Sequence, residues 1–345
     1  MPLVRIVIPT YNRANLLAEA LETVIAQSLT DFEAVVVDDG SVDKTEAILK
    51  EFVARDSRIR FLRQENRGVA KAKNRAINDP GHYTYVAFLD SDDLWLPHHL
   101  EDSIDVLLRQ PEVALVFSRV ESINIGGHLT QEIARARDNR MNNLLRRAHP
   151  SPIPGVYLLD AATCFHSLLR SEFAVHPSTT VIRREAVPRS EWFNPDLVIL
   201  EDVEFFLHLA RGDRFFAFAD TIQTQVRYHG DNLTGSQDLS SPVTLRRYLS
   251  VLDYYKLKLP FCTEQEDKKF VSQEIAGAAY LLAQCYAEQS DLPSARRLYF
   301  EALRWRIAYD YLKGLISSFL PIPAYASLKK LRHTFRKMLN SQRRL

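Results

Sequence analysis

From Val4 to Phe117 the chain alternates short, mostly apolar runs with amphipathic stretches of helical period, and few folds accept that order. The runs are Val4 to Ile8, Glu33 to Val37, Ile59 to Leu62, Tyr85 to Leu89 and Val113 to Phe117. A run that is apolar throughout suits a strand covered on both faces, and strands separated by helices pair mostly in parallel. Helices are predicted over Asn12 to Gln27, from Asp43 past Phe52, over Gly68 to Asn78 and over Pro97 to Arg109. In the first of these, Leu16, Leu17, Ala20, Leu21, Val24 and Ile25 share one face. The expected fold is therefore α/β, a mostly parallel sheet flanked by helices. Ligands of such sheets bind beyond the carboxyl ends of the strands, where three polar clusters sit: Pro9-Thr10-Tyr11-Asn12, Asp38-Asp39 and Asp90 to Asp93.

From Arg119 to Gly155 the pattern weakens and reads as a long loop carrying Arg135, Arg137, Arg140, Arg146 and Arg147. Further strands are predicted over Thr179 to Ile182, Phe215 to Phe218 and Ile222 to Tyr228, with a helix over Val203 to Ala210. After Asp238 the chain turns helical, and Ala276 to Glu301 resembles one tetratricopeptide-like hairpin, which needs neighbours to bury its face. The expected division is 1–238 for the α/β domain and 239–345 for a helical region. The last part of that region carries Lys329, Lys330, Arg332, Arg336, Lys337, Arg343 and Arg344 with no acidic side chain after Ala324.

The formal net charge is +1, so no global basic field points to nucleic acid. Three widely spaced cysteines, Cys164, Cys262 and Cys285, match neither a disulfide framework nor a zinc site, and a reduced, cytoplasmic setting is the simplest expectation. No signal peptide is recognised, and no apolar run reaches the about 18–20 residues that span a bilayer.

Phe88-Leu89-Asp90-Ser91-Asp92-Asp93 is the strongest chemical signal. Carboxylates at i and i+2 of an extended chain point to one side, and hard divalent cations such as Mn²⁺ or Mg²⁺ take oxygen ligands alongside substrate phosphates. The plain alternative is that Asp92 or Asp93 caps the next helix. Asp38-Asp39-Gly40-Ser41 taken alone is a turn, although a carboxylate after a strand also suits a ribose hydroxyl or a base N–H. Thr10 and Tyr11 offer a hydroxyl and a stacking ring, or else a helix entry with Thr10 or Asn12 as cap. Glu201-Asp202 opens a helix, where the macrodipole already favours carboxylates, yet one carboxylate in a dry crevice is also a general base. His229 is either structural or near a metal or diphosphate, with Arg227 beside it as a phosphate partner.

Neither a P-loop, nor a dinucleotide-binding glycine motif, nor a Gly-x-Ser-x-Gly elbow is present. Together, Ile8-Pro9-Thr10-Tyr11-Asn12-Arg13, Val37-Asp38-Asp39-Gly40-Ser41, Glu65-Asn66-Arg67-Gly68, Ala72-Lys73-Asn74, Phe88 to Asp93 and Glu201-Asp202 resemble family 2 glycosyltransferases of the GT-A fold, across roughly residues 1–235. The resemblance implies that Pro9, Thr10, Tyr11, Asp39, Asn66, Lys73, Asp90 and Ser91 line the nucleotide-sugar site, and that Asp92 holds the divalent metal with His229 near it. It implies Asp202 as the base of an inverting displacement. The family often has Arg where this chain has Lys73, and Lys lacks the planar fork of Arg. Glu301-Ala302-Leu303-Arg304-Trp305 only approximates the Gln-x-x-Arg-Trp motif of processive members, so single-residue transfer is the expectation.

By resemblance the donor is a nucleotide diphosphate sugar, UDP-linked by default with GDP and dTDP open, and the acceptor is a surface glycan or lipid-linked intermediate. The basic C-terminal segment is either a peripheral contact with an anionic membrane or a solvated helix face; oligomeric state stays open. Two rivals remain at this point. A nucleotidyltransferase would want a Gly-rich basic loop after the first strand, which Pro9 to Arg13 lacks. A non-catalytic scaffold with a protein-binding helical tail has no need to keep Asp39, Asp90, Asp92 and Asp202 together.

Overall fold

In a computed structural model, the described residues are 3–128, 140–187, 192–229 and 239–320, and they fall into two compact units, Met1–Gly235 and Ser236–Leu345. The first unit is built on a mixed ten-stranded sheet. Its parallel half orders β3 (Ile59–Arg63), β2 (Phe32–Asp38), β1 (Val4–Thr10) and β4 (Tyr85–Phe88). All seven residues of β1 are buried, as suits a mostly apolar strand covered on both faces. The guanidinium of the buried Arg5 within it donates to Glu33 Oε2 at 2.7 Å and to the Ala76 and Pro80 carbonyls, and lies 4.2 Å from the Tyr83 ring centroid. A buried charge survives only with such partners.

Chain order reverses between β1 and β4, because β2 and β3 lie on one side of β1 and β4 on the other. That reversal opens the crevice in which α/β sheets bind ligands. Helices α1 (Ala14–Ile25), α2 (Thr45–Arg55), α3 (Val69–Asn78) and α4 (His99–Arg109) connect this part of the sheet. Beyond β4 come the antiparallel β9 (Val181–Arg183), then β6 (Val113–Asn124), β10 (Phe215–Tyr228), β8 (Val156–Leu159) and β7 (His149–Pro150), while β5 (Leu94–Trp95) pairs with β10. Helices α5 (Ala161–Leu169) and α6 (Glu201–Leu209) complete the unit's longer helices among the described residues.

Two expectations are corrected here. The stretch from Arg119 is not all loop: β6 continues to Asn124 because the far half of β10 gives it a parallel partner, pairing Arg227 with Ile123. The two strands expected over 215–228 are one strand, bent where its register with β6 shifts between Ala219 and Thr224. The Asp220 N–H there donates to the Gly155 carbonyl at 2.8 Å, and its carboxylate pairs with Arg119. Such a bulge re-aims the strand that follows, which ends at Tyr228, just before His229.

The second unit is helical: α7 (Pro242–Lys258), α8 (Gln265–Glu288), α9 (Leu292–Trp305) and α10 (Tyr309–Ser317). The hairpin of α8 and α9 turns at Ser290, which takes φ +64°, and Asp291 caps α9 by accepting from the Ser294 N–H at 3.2 Å. It has the neighbours it needs, since α7 packs on α8 and α10 on α9. Gly314 permits the second contact: a Cβ there would lie 2.5 Å from the Tyr299 ring. Among the described residues no helix is long and apolar enough to cross a membrane, and all three cysteines are free and buried. Arg135, Arg137 and the basic segment after Ala324 lie outside the described residues.

Candidate active site

The ends of β1 and β2 are tied together by short polar side chains. Asn12 takes φ +50°, a conformation Asn tolerates; its N–H donates to Ser41 Oγ at 2.8 Å, and its Oδ1 accepts from the Val42 N–H at 2.9 Å. The first N–H groups of α1 find partners across the gap, Arg13 on Thr45 Oγ1 at 3.3 Å and Ala14 on Asp43 Oδ2 at 3.1 Å. Thr10 and Asn12 therefore do not cap α1, which has no side-chain cap of its own. Pro9 pairs with Val37 and Thr10 with Asp38, which brings both polar clusters level. Thr10 Oγ1 is buried without a hydrogen-bond partner among the described residues, while the Tyr11 ring is exposed.

Asp39 does more than stand ready for a ligand. Its Oδ1 accepts from Gln64 Nε2 at 2.7 Å and from the Arg67 N–H at 2.8 Å, and its Oδ2 accepts from the Gly68 N–H at 2.8 Å. The carboxylate thus folds the loop that leads into α3. Gly40 lets that loop close, since φ is +83° and a Cβ would sit 2.8 Å from the Asn66 nitrogen. Asn66 itself is exposed at the rim.

Beyond β4 the acidic segment is a turn, not extended chain: the Asp93 N–H donates to the Asp90 carbonyl at 3.0 Å. The expectation that Asp90 and Asp92 share one side by strand alternation fails for that reason. Asp92 instead turns toward His229, whose Nε2 lies 3.0 Å from its Oδ2, with Arg13 Nε at 3.7 Å. Asp90 turns the other way, its Oδ1 3.9 Å from Lys73 Nζ. Ser91 is buried between them in sequence. Asp93 caps no helix: it is buried, accepts from Ser178 Oγ at 2.6 Å and from the Arg227 N–H at 3.2 Å, and lies 3.6 Å from His176 Nδ1. Burial, and after it the charges of Asp92 and Asp90, hold its carboxyl well above the ordinary range.

The guanidinium of Arg227 is held by protein groups. It donates to Glu19 Oε2 and the Leu16 carbonyl at 2.9 Å each, and to the Asp92 carbonyl, so it locks β10 and α1 around the acidic turn. Two groupings at this end of the sheet fit a divalent cation. Asp92 with His229 offers carboxylate oxygen and a nearly buried imidazole, and Asp90, Asp93 and His176 bring one ligand atom each to within 4.8 Å of one another. Asp93 is the poorer ligand of these, because its oxygens already accept two hydrogen bonds and its carboxyl resists ionisation.

Glu201 and Asp202 open α6 after Leu200, a non-glycine residue at φ +67°. That costly conformation is held by an aromatic cluster: Phe88 lies 5.2 Å from Phe193, Phe193 4.9 Å from Phe205, and Trp192 stacks on Phe205 at 5.4 Å. Asp202 Oδ1 accepts from the Val203 N–H at 2.7 Å. Burial first, and then the neighbouring charge of Glu201, push the Asp202 carboxyl up to about 7, against the pull of Lys73 and of the Val203 N–H. Glu201 Oε1 accepts from Lys73 Nζ at 3.2 Å, which joins α6 to α3 and, through Asp90, to the end of β4.

The candidate residues from distant stretches thus form two linked groups on one sheet end: Asp92 with His229 and Arg13, and Asp90 with Lys73, Glu201 and Asp202. Pro9, Thr10, Tyr11, Asp39 and Asn66 flank them at the ends of β1 and β2. Sequence reasoning missed His176, Ser178 and the Trp192-Phe193 pair. Only the last left a signal, two aromatic residues shortly before the acidic pair.

The profile of Glycosyl transferase family 2 matches residues 5–187, more than half of the chain. This chain belongs to glycosyl transferase family 2. The match of this chain to its first curated relatives is local: it is 36% identical over 129 residues to chondroitin synthase of Escherichia coli, covering 37% of this chain and 19% of that one. It is 25% identical over 264 residues, 76% of this chain and 82% of the other, to an uncharacterized glycosyltransferase of Methanocaldococcus jannaschii. The fold matches that of S. aureus TarS 1-349 in complex with UDP-GlcNAc at TM-score 0.57 and 16% identity, covering 95% of this chain and 92% of that one. The mannosyltransferase PcManGT of Pyrobaculum calidifontis, in complex with GDP-Man and Mn²⁺, matches at TM-score 0.53 and 18% identity, covering 96% and 87%.

Proposed function

We propose that this family 2 transferase moves a sugar from a nucleotide diphosphate, UDP by preference, to an acceptor hydroxyl in a single inverting displacement that requires Mn²⁺ or Mg²⁺. The observation that carries the reading is the position of Asp202, a carboxylate pushed up to about 7, one ion-pair chain away from the acidic turn that ends β4. Complexes of fold neighbours with UDP-GlcNAc and with GDP-Man and Mn²⁺ support the donor class and the metal.

In this reading Tyr11 stacks on the base, and Thr10, Asp39, Asn66, Asp90 and Ser91 frame the nucleoside. The unpartnered hydroxyl of Thr10 supplies a donor to the nucleotide. Asp92 and His229 fit a divalent cation, which when bound offsets the charge growing on the leaving diphosphate. Asp202 accepts the proton of the acceptor hydroxyl as its oxygen bonds to the anomeric carbon and the bond to the diphosphate oxygen breaks. The rings of Phe88, Trp192, Phe193 and Phe205 pack together beside the start of the helix that carries that carboxylate.

Asp202 acts as a base only when ionised. Since its pKa is raised, kcat is expected to be lost as pH falls through about 7, with unit slope below and a plateau above. A pH profile of kcat at saturating donor checks this, and a flat profile between pH 5 and 8 would remove the base assignment. Donor hydrolysis across UDP-, GDP- and dTDP-sugars with Mn²⁺ tests the donor class; silence with all of them favours the scaffold reading.

The acceptor in this reading is a surface glycan or lipid-linked intermediate, met at an anionic membrane. Tyr309, Leu312, Ile316 and Phe319, spaced three, four and three residues apart, are all exposed, and the sequence beyond Ala324 is basic without an acid. Each Lys or Arg near such a surface adds about 1 kcal/mol. Flotation with phosphatidylserine liposomes is expected at low salt and lost at high salt; no recovery at low salt contradicts the membrane contact.

A further inference from the structure

We infer that Lys73 is a positioning residue for the general base rather than a contact of the nucleotide sugar, an inference that rests on Asp202 being that base. The side chain is buried, and its ammonium is taken up by protein: Glu201 Oε1 at 3.2 Å, Asp90 Oδ1 at 3.9 Å and the Phe193 ring, whose centroid is 5.0 Å away. The next residue does the same work on the backbone. Asn74 Nδ2 donates to the Phe193 carbonyl at 2.7 Å, and Asn74 Oδ1 accepts from the Phe193 N–H at 2.9 Å. One turn of α3 thereby grips both ends of the segment that runs from Phe193 to Glu201 and delivers Asp202 after the strained Leu200.

The charges fit this role. Burial works against the Lys73 ammonium, but Glu201, Asp90 and Asp202 outweigh it and keep it protonated at every working pH. Glu201, Lys73 and Asp90 are the charged groups that act on Asp202: the two acids raise its pKa, and Lys73 alone among them lowers it. A Lys committed to three acids offers little to a diphosphate, and a cation that leaves would strand Glu201 as a buried, unpaired carboxylate. A compact ammonium fits between two carboxylates and a ring, and it lacks the planar fork that bidentate phosphate contacts use.

The test uses the full chain with Mn²⁺ and compares Lys73→Met, Lys73→Arg and Glu201→Gln. Binding of UDP is read by calorimetry, and turnover with the best donor of the sugar-nucleotide panel. Lys73→Met is expected to lower kcat by on the order of 10- to 100-fold, while the Kd for UDP stays within about two-fold. The acid limb of its kcat profile should move to higher pH, because the one cation lowering the Asp202 pKa is gone. Glu201→Gln should reproduce the kcat loss with Lys73 intact, and Lys73→Arg should restore part of it. A Lys73→Met protein that weakens UDP binding about ten-fold but keeps kcat at saturation overturns the inference and returns Lys73 to the donor site. If Lys73→Met fails to fold, Glu201→Gln decides, since unchanged kcat there also overturns it. Wild-type turnover in Asp202→Asn would instead remove the underlying base reading, a separate result.

Discussion

Asp202→Asn is expected to lose about 10²- to 10⁴-fold in kcat while binding UDP and Mn²⁺ as the wild type does. The amide keeps the size of the carboxylate, and its oxygen can still accept from the Val203 N–H, so it is the proton acceptor that is removed. The pH dependence should vanish with it, because the group whose pKa is raised to about 7 no longer titrates. Chemical rescue offers a second handle: in Asp202→Ala, which leaves room beside the acceptor, a small exogenous base should restore part of the turnover. Near-normal kcat in Asp202→Asn would strip Asp202 of its role.

Asp92→Ala carries the other large effect. The carboxylate lies 3.0 Å from His229 Nε2 and is the most exposed strong oxygen donor of that pair. Its removal is expected to abolish the gain in UDP affinity that Mn²⁺ provides and to reduce turnover to background. Calorimetry with and without Mn²⁺ reads the first effect directly, and unchanged metal-dependent binding contradicts it. The comparison with Asp93→Asn separates the two candidate groupings. Asp93 is committed to Ser178, Arg227 and His176, so its variant should cost thermal stability more than metal response. A lost metal response in Asp93→Asn, with Asp92→Ala normal, would move the cation to the Asp90, Asp93 and His176 grouping.

Much of the fold was legible because periodicity reports burial directly. The runs at Val4, Glu33, Ile59, Tyr85 and Val113 all became strands, the three polar clusters fell at strand ends, and Glu201-Asp202 at the start of a helix. What stayed hidden depends on partners far away in sequence. Nothing local distinguishes an extended Asp90-Ser91-Asp92 from a turn, and the turn sends the two carboxylates to different neighbours, Lys73 and His229. Arg227 beside His229 looked like a phosphate ligand, yet Glu19, Leu16 and Asp92 consume its donors. Asp39 looked like a free nucleotide contact, yet it also shapes the loop of Gln64 to Gly68. In each case the residue type was informative and its partner was not, because a hydrogen bond across the sheet leaves no trace in spacing. The strand expected over Thr179 to Ile182 is there as β9, but its place was hidden for the same reason: it inserts antiparallel between β4 and β6 after a chain excursion that periodicity does not follow.

The central claim is that one nucleotide sugar lies between the Asp92–His229 pair and Asp202. Crystals grown with Mn²⁺ and a non-hydrolysable UDP-sugar test it most directly, through the anomalous signal of manganese. The account predicts one strong peak beside Asp92 and the diphosphate, with the sugar's anomeric carbon facing the Asp202 carboxylate. Manganese elsewhere, or a sugar turned away from α6, would contradict it.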